Sequence, residues 1–414
     1  MDAQSPVQKL IGGDYSSADL ARLEEFLQAR GTLTLRPQAN GLFTAASGMA
    51  QTSATGYQDL WLRDNVMIAS SFLGRGDVRT AVNTAIGLTG LMRTQEARFR
   101  KIIAEPAAKE DVQERPHVRF NLGGTSEKWS HAQNDALGYV LWLRFVLANA
   151  GHLPLDPAEF ALYRLFPLYF RAIEFWNDPD SGAWEEDRKI NSSSVGAVLA
   201  GLRAMQTWMK TNSALDGDGI GKVVEDLIRE GMQRLQRSLP FESPPQRLAD
   251  SAVLLLIHPA DVLLPEQGDA VLRVVHSDLE RQIGILRYAG DSYYGQDYPD
   301  WFSAEQLSGD FSNNVALRNA KLRPGFEAQW CIFDPLLSVI YGKRFLADRH
   351  NEVAREKQVH HFNRSLKQLS DAAQCPELYF FRHEKWIPNP HVPLAWTQAN
   401  LALALHLMQK SAAI

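Results

Sequence analysis

The residues in this chain best suited to proton chemistry are carboxylates set beside aromatic rings. The stretch "SGAWEEDR" (181–188) places Glu185 and Glu186 directly after Trp184. A glutamate held against an indole and away from water has its ionised form disfavoured, so its pKa rises. That is the state a general acid needs near neutral pH. Taken alone, such a pair more often marks a solvated helix face. A third acid, Glu377, stands in "CPELYFFRHEKWIPNPHVPLAW" (375–396), where Pro376 and the aromatics 379–381 predict a rigid, partly apolar setting before a buried helix. Acid–base hydrolysis of a glycoside needs two carboxylates across a pocket, about 6.5–9.5 Å apart for inversion and about 5–5.5 Å for retention. Sequence spacing does not show whether two of these three meet.

Two further segments carry groups that suit a polyol. "YQDLWLRDNVM" (57–67) sets Arg63 beside Asp64 at a helix start, with Trp61 as an apolar face. The pair reads either as a cap with a surface arginine or as donors and acceptors for sugar hydroxyls. "RFNLGGTSEKWSHAQNDALG" (119–138) joins a Gly-Gly turn and Trp129 to the polar residues His131, Gln133 and Asp135, which lead into a buried helix. Polar groups on the first turn of an apolar helix sit at the mouth of a core, where the helix start favours anions. A lone histidine such as His131 is more often a satisfied hydrogen-bonding residue than a catalyst. The ten Trp and eleven Tyr residues favour ring-stacking on sugars, although many belong to the core. No HExxH and no His/Cys/Asp cluster suggests a metal, so no metal ligand and no cofactor is expected. The Ser triplet 192–194 lacks a G-x-S-x-G setting. Cys331 and Cys375 read as buried free thiols.

Helices must position these groups. Val195, Val198, Leu199, Leu202 and Met205 recur at helical spacing behind an Asn/Ser cap. Residues 132–149, 331–341 and 394–408 are apolar on nearly every side and predict helices buried all round, the second stopped by Gly342. Amphipathic stretches lie near 17–29, 77–95, 157–176, 221–238, 266–283 and 346–370, with short helical pieces after Asp64 and around 247–256. "TLTLRP" and "GLFTAAS" predict one small hairpin. Long loops at 100–128, 285–302 and 372–393 are rich in aromatics and charge, as functional loops are. Buried helices inside and amphipathic ones outside make an all-α, α/α barrel with a loop-built pocket; an irregular bundle gives a similar pattern. No linker divides residues 1–414, which read as a single domain. The net charge of −5 carries no basic patch for nucleic acid, and no apolar run suits a membrane. The N-terminus lacks the pattern of a signal peptide, so a cytoplasmic protein is expected.

Four segments, in order, resemble the superfamily of family 15 glycoside hydrolases (glucoamylase-like) and the N-terminal domains of phosphorylase kinase α and β subunits. They are "NGLFTAAS…DLWLRDNVMIASSFL", "RFNLGGTSEKWSHAQNDALGYVLWL", "GAWEEDRKINSSSVGAVLAGLRAM" and "CPELYFFRHEKWIPNPHVPLAWTQANLALAL". They span roughly residues 40–410. The resemblance implies an (α/α)6 barrel and inverting release of glucose from the non-reducing end of an α-glucoside. By motif match it puts the general acid at Glu185 and the general base at Glu377. Arg63 and Asp64 fall on the pair that grips the glucose ring, Trp129 on the pocket wall and Glu186 on a substrate-binding neighbour of the acid. Trp61, His131, Gln133, Asp135, Trp184 and Trp396 are further substrate-binding candidates, and Arg287, in a loosely matching segment, is another. Gln329 stands where the kinase subunits carry an acid. The alternative that the resemblance leaves open is a catalytically silent, carbohydrate-binding regulatory module with a protein partner.

Overall fold

The computed structural model describes residues 6–46, 56–126, 129–212, 219–302 and 315–413. Twelve helical segments alternate between an outer and an inner layer. The outer ones are Ser17–Ala29, Val78–Thr94, Leu165–Ile173, Ile220–Ser238, Pro265–Val274 and Glu352–Lys367. The inner ones are Leu62–Gly74, Asn134–Asn149, Ser192–Thr211, the 3-10 turn Ser251–Leu256, Phe333–Ala347 and Ala395–Ala412. This is an (α/α)6 barrel. The layers follow from the apolar pattern. Ile220–Ser238 buries one stripe, Ile220, Val224, Leu227, Gly231 and Leu235, whereas Asn134–Asn149 and Ala395–Ala412 are buried on nearly every side. Outer helices start on polar caps, with Ser16 and Asp19 forming a capping box and Asp77 and Asn351 capping two others.

In the inner ring, Phe333–Ala347 packs on Ala395–Ala412, which packs on Leu62–Gly74, then Asn134–Asn149, Ser192–Thr211 and Ser251–Leu256. The segment 283–288 closes the ring. Tyr288 bridges to Asp250 and Ile285 to Trp330, while Ser251 N–H donates to Arg287 O at 2.7 Å. The tightest crossing is made by glycines. A Cβ on Gly138 would stand 2.5 Å from the backbone of Ala197 and Val198, and one on Gly201 would stand 2.7 Å from Gly138 O.

The structure departs from the expected pattern in three places. "TLTLRP" and "GLFTAAS" do not pair as a hairpin over their described residues; Gln38–Gly41 forms a turn, and Ala46 bridges instead to Leu394. The hairpin lies within the segment read as the last long loop. There Leu378–Arg382 pairs with Lys385–Pro388 and with Gln329–Trp330. Its two-residue turn, His383-Glu384, has positive φ at both positions, the geometry that matches strand twist. Gly342 does not stop its helix, which runs on to Ala347. A Cβ there would come within 2.7 Å of the Gln358 side chain, so this glycine serves close packing against Glu352–Lys367. Part of the first long loop is helical, at Glu96–Ala104. A second small sheet pairs Leu60–Trp61 with Arg119–Phe120.

Candidate active site

The inner helices present their N-terminal ends to one cleft. Arg63 and Asp64 lie in the first turn of one, Gln133 and Asp135 at the start of the next, and Trp396 in the first turn of the last. Unpaired N–H groups and the helix dipole favour carboxylates at such ends. The cleft holds about 730 Å³ of empty space counted to its open mouth. Its carboxylates are Asp64, Glu185 and Glu377, its guanidiniums Arg63, Arg287 and Arg318. Trp61, Trp129, Trp184, Trp330 and Trp396 supply flat apolar wall.

Glu185 follows the 3-10 turn Gly182–Trp184 and adopts a left-handed conformation, φ 52° and ψ 54°. The loop that holds it is closed at its base by the bridge between Asp180 and Lys189. Asp180 pins that base to two inner helices, accepting from Asn134 N–H at 2.9 Å and Ser194 Oγ at 2.7 Å. Burial, with Asp135 nearby, raises the Asp180 carboxyl to about 7 against these hydrogen bonds. Ser192 and Ser193 donate to Ser238 Oγ and Glu242, so all three serine hydroxyls of the triplet are spent on holding this end of the barrel.

The Glu185 carboxylate accepts from Arg63 at 2.5 Å and from Gln133 at 2.9 Å. Arg63 also donates to Asp135 at 3.0 Å. Asp64 is pushed to about 7 by burial, with Arg63 opposing and the charge of Glu185 adding. In the same cleft, Glu377 is buried and precedes strand Leu378–Arg382; its carbonyl accepts from Cys331 N–H at 2.8 Å. One carboxylate oxygen accepts from Tyr57 OH at 2.5 Å, the other from Asn389 at 2.6 Å, with His391 Nδ1 at 2.8 Å. The Tyr57 and His391 rings stack 3.5 Å apart, a support that fixes the carboxylate's direction.

Glu186 is built differently. Its buried carboxylate meets Arg247 at 2.8 Å, Arg318 at 3.0 Å, Arg287 at 3.4 Å and Tyr288 OH at 2.6 Å. Burial alone would raise it, but Arg287, Arg247 and Arg318 outweigh that and hold it at about 2. The adjacent glutamates thus divide: Glu185 lines the cleft, while Glu186 anchors two of the arginines that line it.

Of the residues expected to bind substrate, Trp61, Arg63, Asp64, Trp129, Trp184, Arg287 and Trp396 line the cleft. His131, Gln133, Asp135 and Glu186 stand behind its wall and hold residues that do. Gln133 accepts from the Trp129 indole at 3.0 Å, and His131 packs on the Trp129 ring and meets Ser181 Oγ at 3.2 Å. The Trp184 indole, beside Glu185 in the chain, lines the same cleft. It packs on Trp330 and Phe333 and donates to Asp250 at 2.8 Å. Gln329 lies outside the cleft lining, its amide oxygen accepting from Ile283 and Gly284 N–H. Sequence reasoning missed Tyr57, Arg318, Trp330, Asn389 and His391. Tyr57 stood inside a quoted motif, and His391 and Asn389 followed Glu377 in the same Pro-rich stretch; the others carried no local signal.

The model of the Glycosyl hydrolases family 15 matches residues 25–299, a span that includes Glu185 and ends before Glu377. Among solved structures, a glycosidase variant superposes with a TM-score of 0.69 at 20% identity, covering 96% of this chain and 99% of that one. A second glycosidase variant, in complex with glucose, gives 0.68 at 19% identity over the same shares. Glucoamylase from Saccharomycopsis fibuligera gives 0.65 at 13% identity, covering 100% of this chain and 99% of that one. The lipoprotein YgeQ of Escherichia coli (strain K12), itself uncharacterized, is 27% identical over 164 residues, 35% of this chain; the chain spans 62% of that relative's length. At such identities the structural likeness speaks for the barrel, and the family model for kinship. The chain belongs to glycosyl hydrolase family 15.

Proposed function

We propose that the protein is an inverting, exo-acting α-glucoside hydrolase that releases glucose from the non-reducing end of malto-oligosaccharides or a related α-glucoside. The observation that carries this reading is the presence of Glu185 and Glu377 in one cleft with Arg63 and Asp64. Glu185 protonates the glycosidic oxygen as the bond to C1 breaks, and Glu377 takes a proton from the water that attacks C1 on the opposite face. Arg63, Asp64 and Arg287 offer donors and acceptors to the hydroxyls of the terminal ring, and Trp61 and Trp129 offer a flat wall. A glycosidase of the same fold is known in complex with glucose, which supports a glucosyl unit as occupant. We assign it to the cytoplasm, a reading supported by the two buried free thiols Cys331 and Cys375.

The test is incubation with maltotriose, following the fresh product by proton NMR. Inversion predicts β-glucose first, and initial α-glucose refutes it. Glucose binding without turnover on a panel of α-glucosides would instead establish a silent sugar-binding module.

A further inference from the structure

Away from the cleft, three ligating side chains meet between outer segments. The helix Pro265–Val274 ends in a single π-turn, Val275–Leu279, which carries His276, and Glu280 follows it. Such turns recur at functional positions. His276 Nδ1 lies 2.7 Å from Glu280 Oε2, and its Nε2 lies 2.7 Å from the Tyr341 hydroxyl. The third side chain, His361, comes from Glu352–Lys367 and is fully buried. Its Nδ1 is committed to Asp334 Oδ1 at 2.8 Å, and its Nε2 is buried with no hydrogen-bond partner among the described residues. The two imidazoles lie 5.2 Å apart and 25° from parallel. One ligand atom from each of His276, Glu280 and His361 falls within 4.8 Å of the others. A buried imidazole nitrogen left without a partner is costly unless something binds it.

We propose that His276, Glu280 and His361 form a binding site for one divalent transition-metal ion of the zinc type. The ion takes the place of the proton shared by His276 Nδ1 and Glu280, while His276 Nε2–H donates to Tyr341. His361 Nε2 is the third ligand, its tautomer fixed by Nδ1–H donating to Asp334, the outer carboxylate that ligating histidines commonly have. Two imidazoles and one carboxylate suit zinc rather than magnesium or calcium, and three protein ligands leave a fourth position for water. The surroundings contain further charge: Arg364 lies 2.7 Å from Asp334 and 3.8 Å from Glu280, and His360 lies 3.3 Å from Glu280. The two carboxylates face that guanidinium and the incoming ion together. No sequence motif announces the site, because His361 comes from a helix far along the chain from His276 and Glu280. Its structural consequence is a clamp on the segment leading to Arg287. The same neighbourhood already grips that segment through Arg364 to Gly284 O and Gln368 to Ile283 O.

The experiment uses full-length protein stripped with EDTA and titrated calorimetrically with zinc sulfate at pH 7.5, with magnesium chloride as control. One saturable zinc equivalent per chain is expected, with no magnesium binding. His276→Ala and Glu280→Gln, both at partly exposed positions, should each weaken zinc at least tenfold with the circular dichroism of the wild type. His383→Ala, in the exposed Asp297–Asp300–His383 group, should leave zinc affinity unchanged. Absence of a saturable zinc equivalent in the wild type overturns the proposal. So does affinity that stays within threefold in both site variants, or binding lost in His383→Ala. Should the site variants misfold, the wild type alone decides: its thermal midpoint must rise with zinc and not with magnesium.

Discussion

Replacing Glu186 by glutamine keeps the shape of the side chain and removes one charge. In the folded protein the carboxyl sits at about 2, against an ordinary value of 4.5. At about 1.4 kcal/mol per unit, that difference makes ionised Glu186 worth about 3 kcal/mol of stability at pH 7. Breaking a buried ion cluster from one side costs a similar amount, about 3–5 kcal/mol. Because the folded pKa is depressed, the contribution is present above the unfolded value and lost as pH falls towards the folded one. About 3 kcal/mol therefore remains at pH 5 and under half of it at pH 3. The assay is urea unfolding of wild type and Glu186→Gln by tryptophan fluorescence at pH 7, 5 and 3. The gap between the two proteins should be about 3 kcal/mol at pH 7 and should narrow between pH 5 and pH 3. A gap below about 0.5 kcal/mol at pH 7, the size of an ordinary surface substitution, refutes the reasoning. A gap that stays constant down to pH 3 refutes it equally, since the loss would then not be one of charge. With one anchor of Arg287 and Arg318 weakened, KM for maltotriose should also rise.

Glu185→Gln and Glu377→Gln should each lower kcat by about 10²–10⁴-fold, measured on maltotriose with thermal midpoints checked for folding. Tyr57→Phe removes the hydrogen bond to Glu377 at 2.5 Å; a bond to a charged group is worth about 1.5–3 kcal/mol, so kcat should fall at least tenfold with KM within threefold of wild type. Gly138→Ala drives a methyl into the backbone of Ala197 and Val198 and should destabilise by at least about 1–3 kcal/mol in urea, with activity lost only as folding is lost.

Much of the barrel was legible because its two layers have different apolar patterns. A helix such as Asn134–Asn149, apolar all round, announces that it is inside, and Ile220–Ser238 with a single buried stripe announces that it is outside. The inner turn Ser251–Leu256 was legible only as a short helical piece around 247–256, since six residues carry little periodicity. Glu185, Glu377, Arg63 and Asp64, which share the cleft, could be singled out because each belongs to a short motif. Arg318 was not, since its place in the cleft depends on Glu186 and Ser292 arriving from other segments. The arginine partners of Glu186 were not legible for the same reason. Its partners Arg247, Arg287 and Arg318 are scattered, and only the fold gathers them. Gly342 was misread as a stop because a glycine that ends a helix and one that lets two helices touch look identical in one dimension.

The left-handed backbone of Glu185 carries a consequence for the protein's history. Among L-residues that conformation costs about 1–2 kcal/mol, and glycine adopts it freely. Glu185→Gly would therefore relieve the strain, at the cost of the very carboxylate that faces the cleft. A lineage selected only for robustness would drift towards glycine there, and a screen scoring heat resistance without turnover would reward the same loss. Glu185 thus presents its carboxylate to the cleft from a main-chain conformation that glycine would hold at lower cost.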